Sequence, residues 1–578
     1  MNQPPPRRPL TSRRPVSPPR RSVDPRLLLG GGGAALALVL LAVLFIGPCS
    51  ILNPSDDADE TRFECPTIKN PPPPPNGLEV SSIAKDFSDG RCNKSVPPGP
   101  SAITLPLESG KGGRGLALYT YTGEKWQRLA PAELTEDGKA ARAVVDRVPA
   151  NGAIMRRAPG AFQLMGVVPQ GQTLTAEAER LAAIVGGADF IPAADGAVNG
   201  SITNIKRNET ALLVPIVRAT AGAEVDAVNA FLADATRRAA HAATIGRLVT
   251  ANRLDGIELQ YTAVDPARRG DFTELVRAVT DEVRKAGGLV ILTLPLPVKD
   301  GTNWNTGAYD WSQLGKLADL IKIAPELDQS LYRRTVPEAL TYLTTQVEPR
   351  QLVLTVSPLA AEKSDQGIRT LSTLDALSLA AQFTIRDRER AAGNQDVVIV
   401  ADNLNDEGGA AGGINWDALT ATVAFTYRAG EQARTVWIEN QYSAAFKAEY
   451  ATLWKLGGIA VDDASSNAGL ANIWPALTPL SDNQPLALIQ PNSGLLKPEW
   501  LVDNRPFQAG RPVVTWKTPV EGGNHTITLI VSDGVMRVQS MQRITLRPGN
   551  ATAPGAAASP SPSPRAGATV APSPTPRR

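Results

Sequence analysis

From about Phe162 to Leu477, short apolar runs alternate with stretches whose apolar residues recur every three or four positions. The runs are "FQLMGVV", "ALLVPIVRA", "DGIELQYTAV", "GLVILTLPLPV", "ADLIKIAPEL", "RQLVLTVSPL" and "LGGIAVDDAS", and runs this short and this apolar predict strands buried on both faces. Between them, "TLTAEAERLAAIVGG", "VDAVNAFLADATRRAAHAATIGRLVTANR" and "GDFTELVRAVTDEVRKAGG" are predicted helices. In the last, Phe272, Leu275, Val276, Val279 and Val283 share one face, Asp271 stands at the start and Gly287 follows the end. Parallel strands joined by crossover helices over roughly 300 residues predict a (β/α)8 TIM barrel spanning residues 161–480. A doubly wound parallel sheet is the alternative.

The pattern changes on both sides of this segment. Residues 101–160 show short alternating runs broken by turn signals ("TGEKW", "EDGK") and predict a small all-β domain. Residues 481–548 contain "PVVTWKTPVEGGNHTITLIVSDGVMRVQSMQRITL", where Thr526, Thr528 and Ile530 alternate with Ile527, Leu529 and Val531. This predicts a β-sandwich of immunoglobulin or PKD type. A length of 578 residues accommodates all three units.

The ends are not globular. Residues 1–26 are rich in Pro and Arg, and residues 27–47 form an uncharged apolar segment. About 20 such residues, rising about 1.5 Å each, span a hydrocarbon core of about 30 Å, so this is a candidate transmembrane helix. Arginines before it and Asp56, Asp57, Asp59 and Glu60 after it place the N-terminus in the cytoplasm and the bulk outside, as a single-pass protein of the cell membrane. A cleaved signal peptide is the alternative. Residues 48–100 contain "KNPPPPPNG" and predict a Pro-rich linker, whereas 549–578, of Pro/Ser/Ala-rich low complexity, predict a disordered tail. Cys65 and Cys92, within the linker, bracket its Pro-rich segment and either form a disulfide or remain as two thiols.

Net charge is +2 with acids and bases intermixed, and no basic stripe interleaved with aromatics follows the N-terminal tail, which argues against a nucleic-acid partner. His241 and His525 are the two histidines, and neither has a Cys or second His at ligand spacing. A zinc site and a Ser-His-Asp triad are therefore not expected, nor is any cofactor, since no P-loop or dinucleotide fingerprint occurs.

Three stretches make the barrel segment similar to glycoside hydrolase family 18, the chitinase-like family. "RLDGIELQYTAV" resembles that family's fourth strand, with Asp255, Gly256, Glu258, Gln260 and Thr262 set against D-G-x-D-x-D-x-E. "YDWSQLGKLADLIKIAPELDQ" resembles the approach to strand six, and "RTVWIENQYSAAFKAEYATLWKLGGIAVDDASSN", with Trp437, Ser443, Lys447, Gly457 and Gly458, the run into strand eight. The resemblance implies that a Glu at position 262 would protonate the glycosidic oxygen, while an Asp at 260 would orient the substrate's N-acetyl group, whose carbonyl attacks the anomeric carbon. Thr262 and Gln260 stand there instead, so the catalytic motif is degenerate.

Other groups are candidates to substitute. Glu258 faces the interior but lies about 13 Å below Thr262, at about 3.3 Å per residue, where a structural ion pair with an interior Lys or Arg is expected. Glu326, Asp462 and Asp463, together with Asp265 and Asp328, fall at strand ends and are either a substitute acid/base pair, a cation site, or caps and solvent-facing groups. Trp304, Trp311, Tyr332 and Trp437, with Tyr309 and Tyr427, are candidate sugar-stacking platforms; Trp311 and Trp437 could equally pack against the barrel wall. The expected function is binding of N-acetylated glycans, a polysaccharide or peptidoglycan-type polymer, by a membrane-anchored pseudoenzyme. The alternatives are an active glycosidase using relocated carboxylates and a surface scaffold for other proteins.

Overall fold

The computed structural model describes residues 65–75, 77–88, 100–158, 160–188, 190–404, 413–465, 471–482 and 484–549, all within one compact unit, Glu64–Arg578. The expected cytoplasmic tail, membrane span and C-terminal tail lie outside the described residues, as does Cys92. Cys65 is disulfide-bonded. Among the described residues, no helix is long and apolar enough to cross a membrane.

The central element is a sheet of parallel strands whose pairings run in a ring. Gln163–Val168 pairs with Ile184–Gly187, which pairs with Leu212–Leu213. Ile216–Ala219 continues that third strand past Pro215 and pairs with Phe190–Pro192 and with Gly256–Tyr261. Leu289–Leu294, Leu320–Ile323, Leu352–Val356 and Gly458–Val461 follow in order, and the last returns to Gln163–Val168. This is the parallel strand order expected for the barrel segment. The strands read as continuous apolar runs because both faces are covered; all five residues of Leu352–Val356 are buried. Outside them, helix Arg269–Lys285 buries Phe272, Leu275, Val276, Val279 and Val283. The long helix expected over Val225–Arg253 is instead two, Gly222–Leu232 and Ala235–Ala251, because the Asp234 side chain accepts hydrogen bonds from Thr236 and Arg237 and starts a new helix there.

The small β domain is larger than expected. Leu78–Val80 and Lys85–Asp86, within the segment read as linker, pair with Asn151–Arg157 and complete a seven-stranded sheet. Leu78, Ala84 and Phe87 supply the apolar side chains that hold them there. This module covers the N-terminal ends of the barrel strands. Arg128 forms an ion pair with Asp255, at the foot of strand four, and Arg114 pairs at 2.6 Å with Asp319, at the foot of strand six.

The C-terminal segment is not an independent sandwich. Between barrel strands seven and eight the chain makes an excursion of about 100 residues, larger than ordinary connections, and its strand Asp396–Ala401 pairs with Val513–Lys517. Ala360, Ile399, Phe425 and Val436 of the excursion share one core with Trp500, Trp516, Leu529 and Ile544. The boundary expected at residue 480 therefore cuts through a single core. Trp500, 1% exposed, meets Phe383 edge-on at 5.4 Å and donates to the Arg511 carbonyl at 2.9 Å. Trp500→Ala is expected to cost about 3–5 kcal/mol and to loosen the excursion and the C-terminal strands together. Hydrogen exchange checks this: protection lost in Val513–Lys517 but kept in Asp396–Ala401 would show two separate units.

Candidate functional site

The C-terminal ends of the eight strands converge on a cavity of about 170 Å³. Each strand or the turn after it contributes: Val167, Ala188, Arg218, Gln260, Thr293, Lys322, Thr355 and Asp462, with Pro169 and Pro325 at the rim. This is the end of the barrel where such folds carry chemistry, because the loops that follow the strands are free to vary.

Its floor is a buried ion pair. Strand alternation turns Glu258 inward, and Lys322 Nζ donates to both carboxylate oxygens at 2.9 and 3.1 Å, while Thr293 Oγ1 donates at 2.6 Å. Both charged residues are at most 3% exposed. The expected structural role of Glu258 is thus what its partners impose.

The rest of the motif frame is dispersed. Asp255 lies at the opposite end of strand four, paired with Arg128 and accepting from the Leu213 amide at 2.8 Å. Gly256 is required by packing, since a Cβ there would lie 2.2 Å from the Leu289 carbonyl oxygen. Gln260 lines the cavity and Thr262 does not. The strand ends at Tyr261, where Tyr309 clamps the chain: its hydroxyl donates to the Tyr261 carbonyl at 2.8 Å and accepts from the Val264 amide at 3.1 Å. Thr262 follows this clamp, half-buried.

Among the candidate carboxyl groups, Asp462 is the one that lines the cavity. Burial pushes its pKa up to about 7, against the opposing pull of the Ser357 hydroxyl and the Lys322 charge, and its Oδ1 has no hydrogen-bond partner. Asp463 caps its own loop, accepting from Ser465 N at 3.0 Å. Glu326 accepts from Asp328 N at 2.8 Å and is raised by burial, but it lies off the cavity. Asp328 starts helix Gln329–Gln346 and pairs with Lys363, and Asp265 caps a 3-10 turn. Behind the mouth, Ser443 Oγ donates to Glu439 at 2.6 Å and Lys447 forms a buried ion pair with the same carboxylate, its ammonium 4.6 Å from the Tyr332 ring centre.

None of the candidate stacking aromatics lines the cavity. Trp311 and Trp437 are buried in cores, and Tyr332 lies against Tyr450 with ring centres 6.1 Å apart. Trp304 stacks on Tyr342 of an outer helix at 4.9 Å, and Tyr427 donates to Glu362 at 2.6 Å. Apart from Trp304, which is half-buried, these rings are large apolar surfaces that the fold removes from water. The cavity residues that sequence reasoning passed over, Arg218 and Lys322, did carry a signal: each is a lone charge inside an apolar strand. His241 is a core residue bonded to Gly196 O and to the Tyr261 hydroxyl, both at 2.8 Å, and burial holds its pKa down at about 4.

Residues 222–466 match the model of Glycosyl hydrolases family 18, so the barrel segment has that family's fold. Solved structures similar to the chain include the spore cortex-lytic enzyme SleL of Bacillus megaterium QM B1551, at 13% identity over 59% of this chain and 79% of that one, TM-score 0.42. A chitinase from Chromobacterium violaceum ATCC 12472 is 18% identical over 56% of this chain and 100% of its own, TM-score 0.42. A family 18 N-acetylglucosaminidase from Paenibacillus barengoltzii is 13% identical over 54% and 98%, TM-score 0.39. No curated protein matches the sequence.

Lys322→Met leaves Glu258 unpaired and is expected to cost about 3–5 kcal/mol, whereas the double variant Glu258→Leu, Lys322→Met should fall within about 2 kcal/mol of wild type. Urea unfolding distinguishes them, and a harmless Lys322→Met would show that the carboxylate finds another partner. The Asp462 pKa lies above its unfolded value of 3.8, so the folded protein holds a proton that the unfolded chain has lost. Stability drawn from this group falls as pH rises from about 4 to 7, by at most about 4 kcal/mol. Relative to wild type, Asp462→Asn should therefore gain stability across that window. His241, with the opposite slope between about 4 and 6.5, is present in both proteins and drops out of the difference.

Proposed function

We propose that this chain is a membrane-anchored, extracytoplasmic glycan-binding protein whose family-18 barrel no longer hydrolyses. The observation that carries the reading is that strand four delivers no free carboxylate to the mouth: Glu258 is held by Lys322, Gln260 presents a neutral amide and Thr262 lies outside the cavity. A positioned acid is worth on the order of 10² to 10⁴ in rate, and its loss falls on the transition state, so binding can outlast turnover. The cavity is small for a saccharide chain; pockets for whole ligands span about 300–1,000 Å³. Arg218, Gln260, Thr293 and Asp462 therefore suit one polar substituent, such as an N-acetyl or hydroxymethyl group, with the rest of an N-acetylated cell-wall glycan outside.

One observation favours a second reading, an active glycosidase. Asp462, near pKa 7 with an unpartnered oxygen, has the protonation balance of a general acid at neutral pH.

Hydrolysis of a fluorogenic chitotriose substrate and calorimetric titration with chitotriose, both on the full chain in detergent, separate these. The expected result is no turnover above the protein-free rate, with binding that Arg218→Ala and Gln260→Ala each weaken about three- to tenfold, roughly 0.6–1.4 kcal/mol. Turnover abolished by Asp462→Asn would replace the first reading with the second. Neither turnover nor binding would leave a scaffold for other surface proteins.

A further inference from the structure

At the opposite end of the barrel, between the foot of the strands and the β-module, lies a larger cleft of about 870 Å³. Arg157, Arg180 and Arg350 line it, together with Lys125, Glu209 and Asp482. The cations of the module are paired almost everywhere else along this face: Arg128 with Asp255, Arg114 with Asp319, Arg156 and Lys111 with Glu79. In the cleft, Lys125 likewise holds Glu209.

The three arginines differ. Among the described residues, none has a carboxylate partner. Arg157 is the most constrained: Nη2 donates to the Ala183 carbonyl at 3.1 Å, but buried Nε has no acceptor, and loss of hydration pulls its pKa down. Arg350 makes one long bond, 3.5 Å, to the Leu456 carbonyl. Arg180 stands in the last turn of helix Ala176–Leu181, exposed. The remaining carboxylate, Asp482, accepts from its neighbour Ser481 at 3.2 Å. A guanidinium withdrawn from water with an unused donor is costly unless an acceptor arrives, and planar forks fit oxyanions through paired hydrogen bonds.

We propose that this cleft binds a ligand carrying two or more oxyanion groups, phosphate or carboxylate, with Arg157 at its base and Arg180 and Arg350 at its walls. The site is separate from the barrel mouth and independent of whether the mouth binds glycan. A volume of this size admits a ligand of several linked groups and not merely one ion.

The test is calorimetric titration of the full chain in detergent at low salt with two probes, inorganic pyrophosphate and citrate, which distinguish phosphate from carboxylate. Wild type should bind one or both with a sub-millimolar Kd that weakens with added salt. The double variant Arg180→Gln, Arg350→Gln, both exposed in the native protein, should weaken binding at least tenfold without lowering Tm. Arg157→Lys, which keeps the charge and loses the fork, should weaken it too. Arg247→Gln, on the exposed side of helix Ala235–Ala251, should leave binding unchanged. Absence of binding to both probes, or an equal loss in the Arg247 and Arg180/Arg350 variants, would overturn the proposal, since the second result means only general attraction to positive charge.

Discussion

The ion pair between Glu258 and Lys322 organises the barrel interior. Two charges are buried among the strands, excluded from water, and the arrangement is tolerable only because Lys322 reaches both oxygens and Thr293 donates a third hydrogen bond. A well-packed apolar pair of similar volume would hold the strands together as firmly, so what the pair adds is the position of charge. Lys322 also lines the cavity of about 170 Å³, and its charge offsets part of the burial effect on Asp462. The polar groups lining the mouth are one protonatable carboxyl, one amide, one guanidinium, one ammonium and two threonine hydroxyls, with no aromatic wall among them.

The two ends of the barrel divide the work. At the foot of the strands, Asp255 and Asp319 are tied to Arg128 and Arg114 of the β-module, so the first residue of the glycosidase-like motif serves as an anchor. At the other end, the strands run into loops whose side chains are committed mostly to their own turns, as with Asp265, Asp328 and Asp463. The residues of the motif frame are thus distributed between the foot of the strands, where Asp255 is an anchor, and the cavity at the other end, which Gln260 lines.

Much of this was legible in the sequence, for identifiable reasons. Periodicity reports burial, so the strand runs and the buried face of helix Arg269–Lys285 were readable, and strand alternation sufficed to send Glu258 inward to a basic partner. Periodicity does not report what a buried face lies against. "DVVIVA", at Asp396–Ala401, has the apolar character of a barrel strand yet pairs with Val513–Lys517, and nothing local marks the difference. The aromatics show the same limit: nearness to a strand end in sequence does not say whether a ring turns to the mouth, as expected for Tyr309 and Tyr332, or into the core, where both lie. Leu78–Val80 was hidden by the prolines before it, because a three-residue strand is too short to show alternation.

The core shared between the excursion and the C-terminal strands sets a schedule for the nascent chain. Asp396 pairs with Lys517, so a strand with apolar residues on both faces waits for a partner roughly 120 residues downstream, on the order of 6–24 s at about 5–20 residues per second of synthesis. During that interval its edge is unpaired and open to wrong neighbours, while the barrel strand that closes the ring, Gly458–Val461, emerges in between. The barrel strands can therefore pair around an unfinished excursion, and the emergence of Val513–Lys517 determines when that edge is covered.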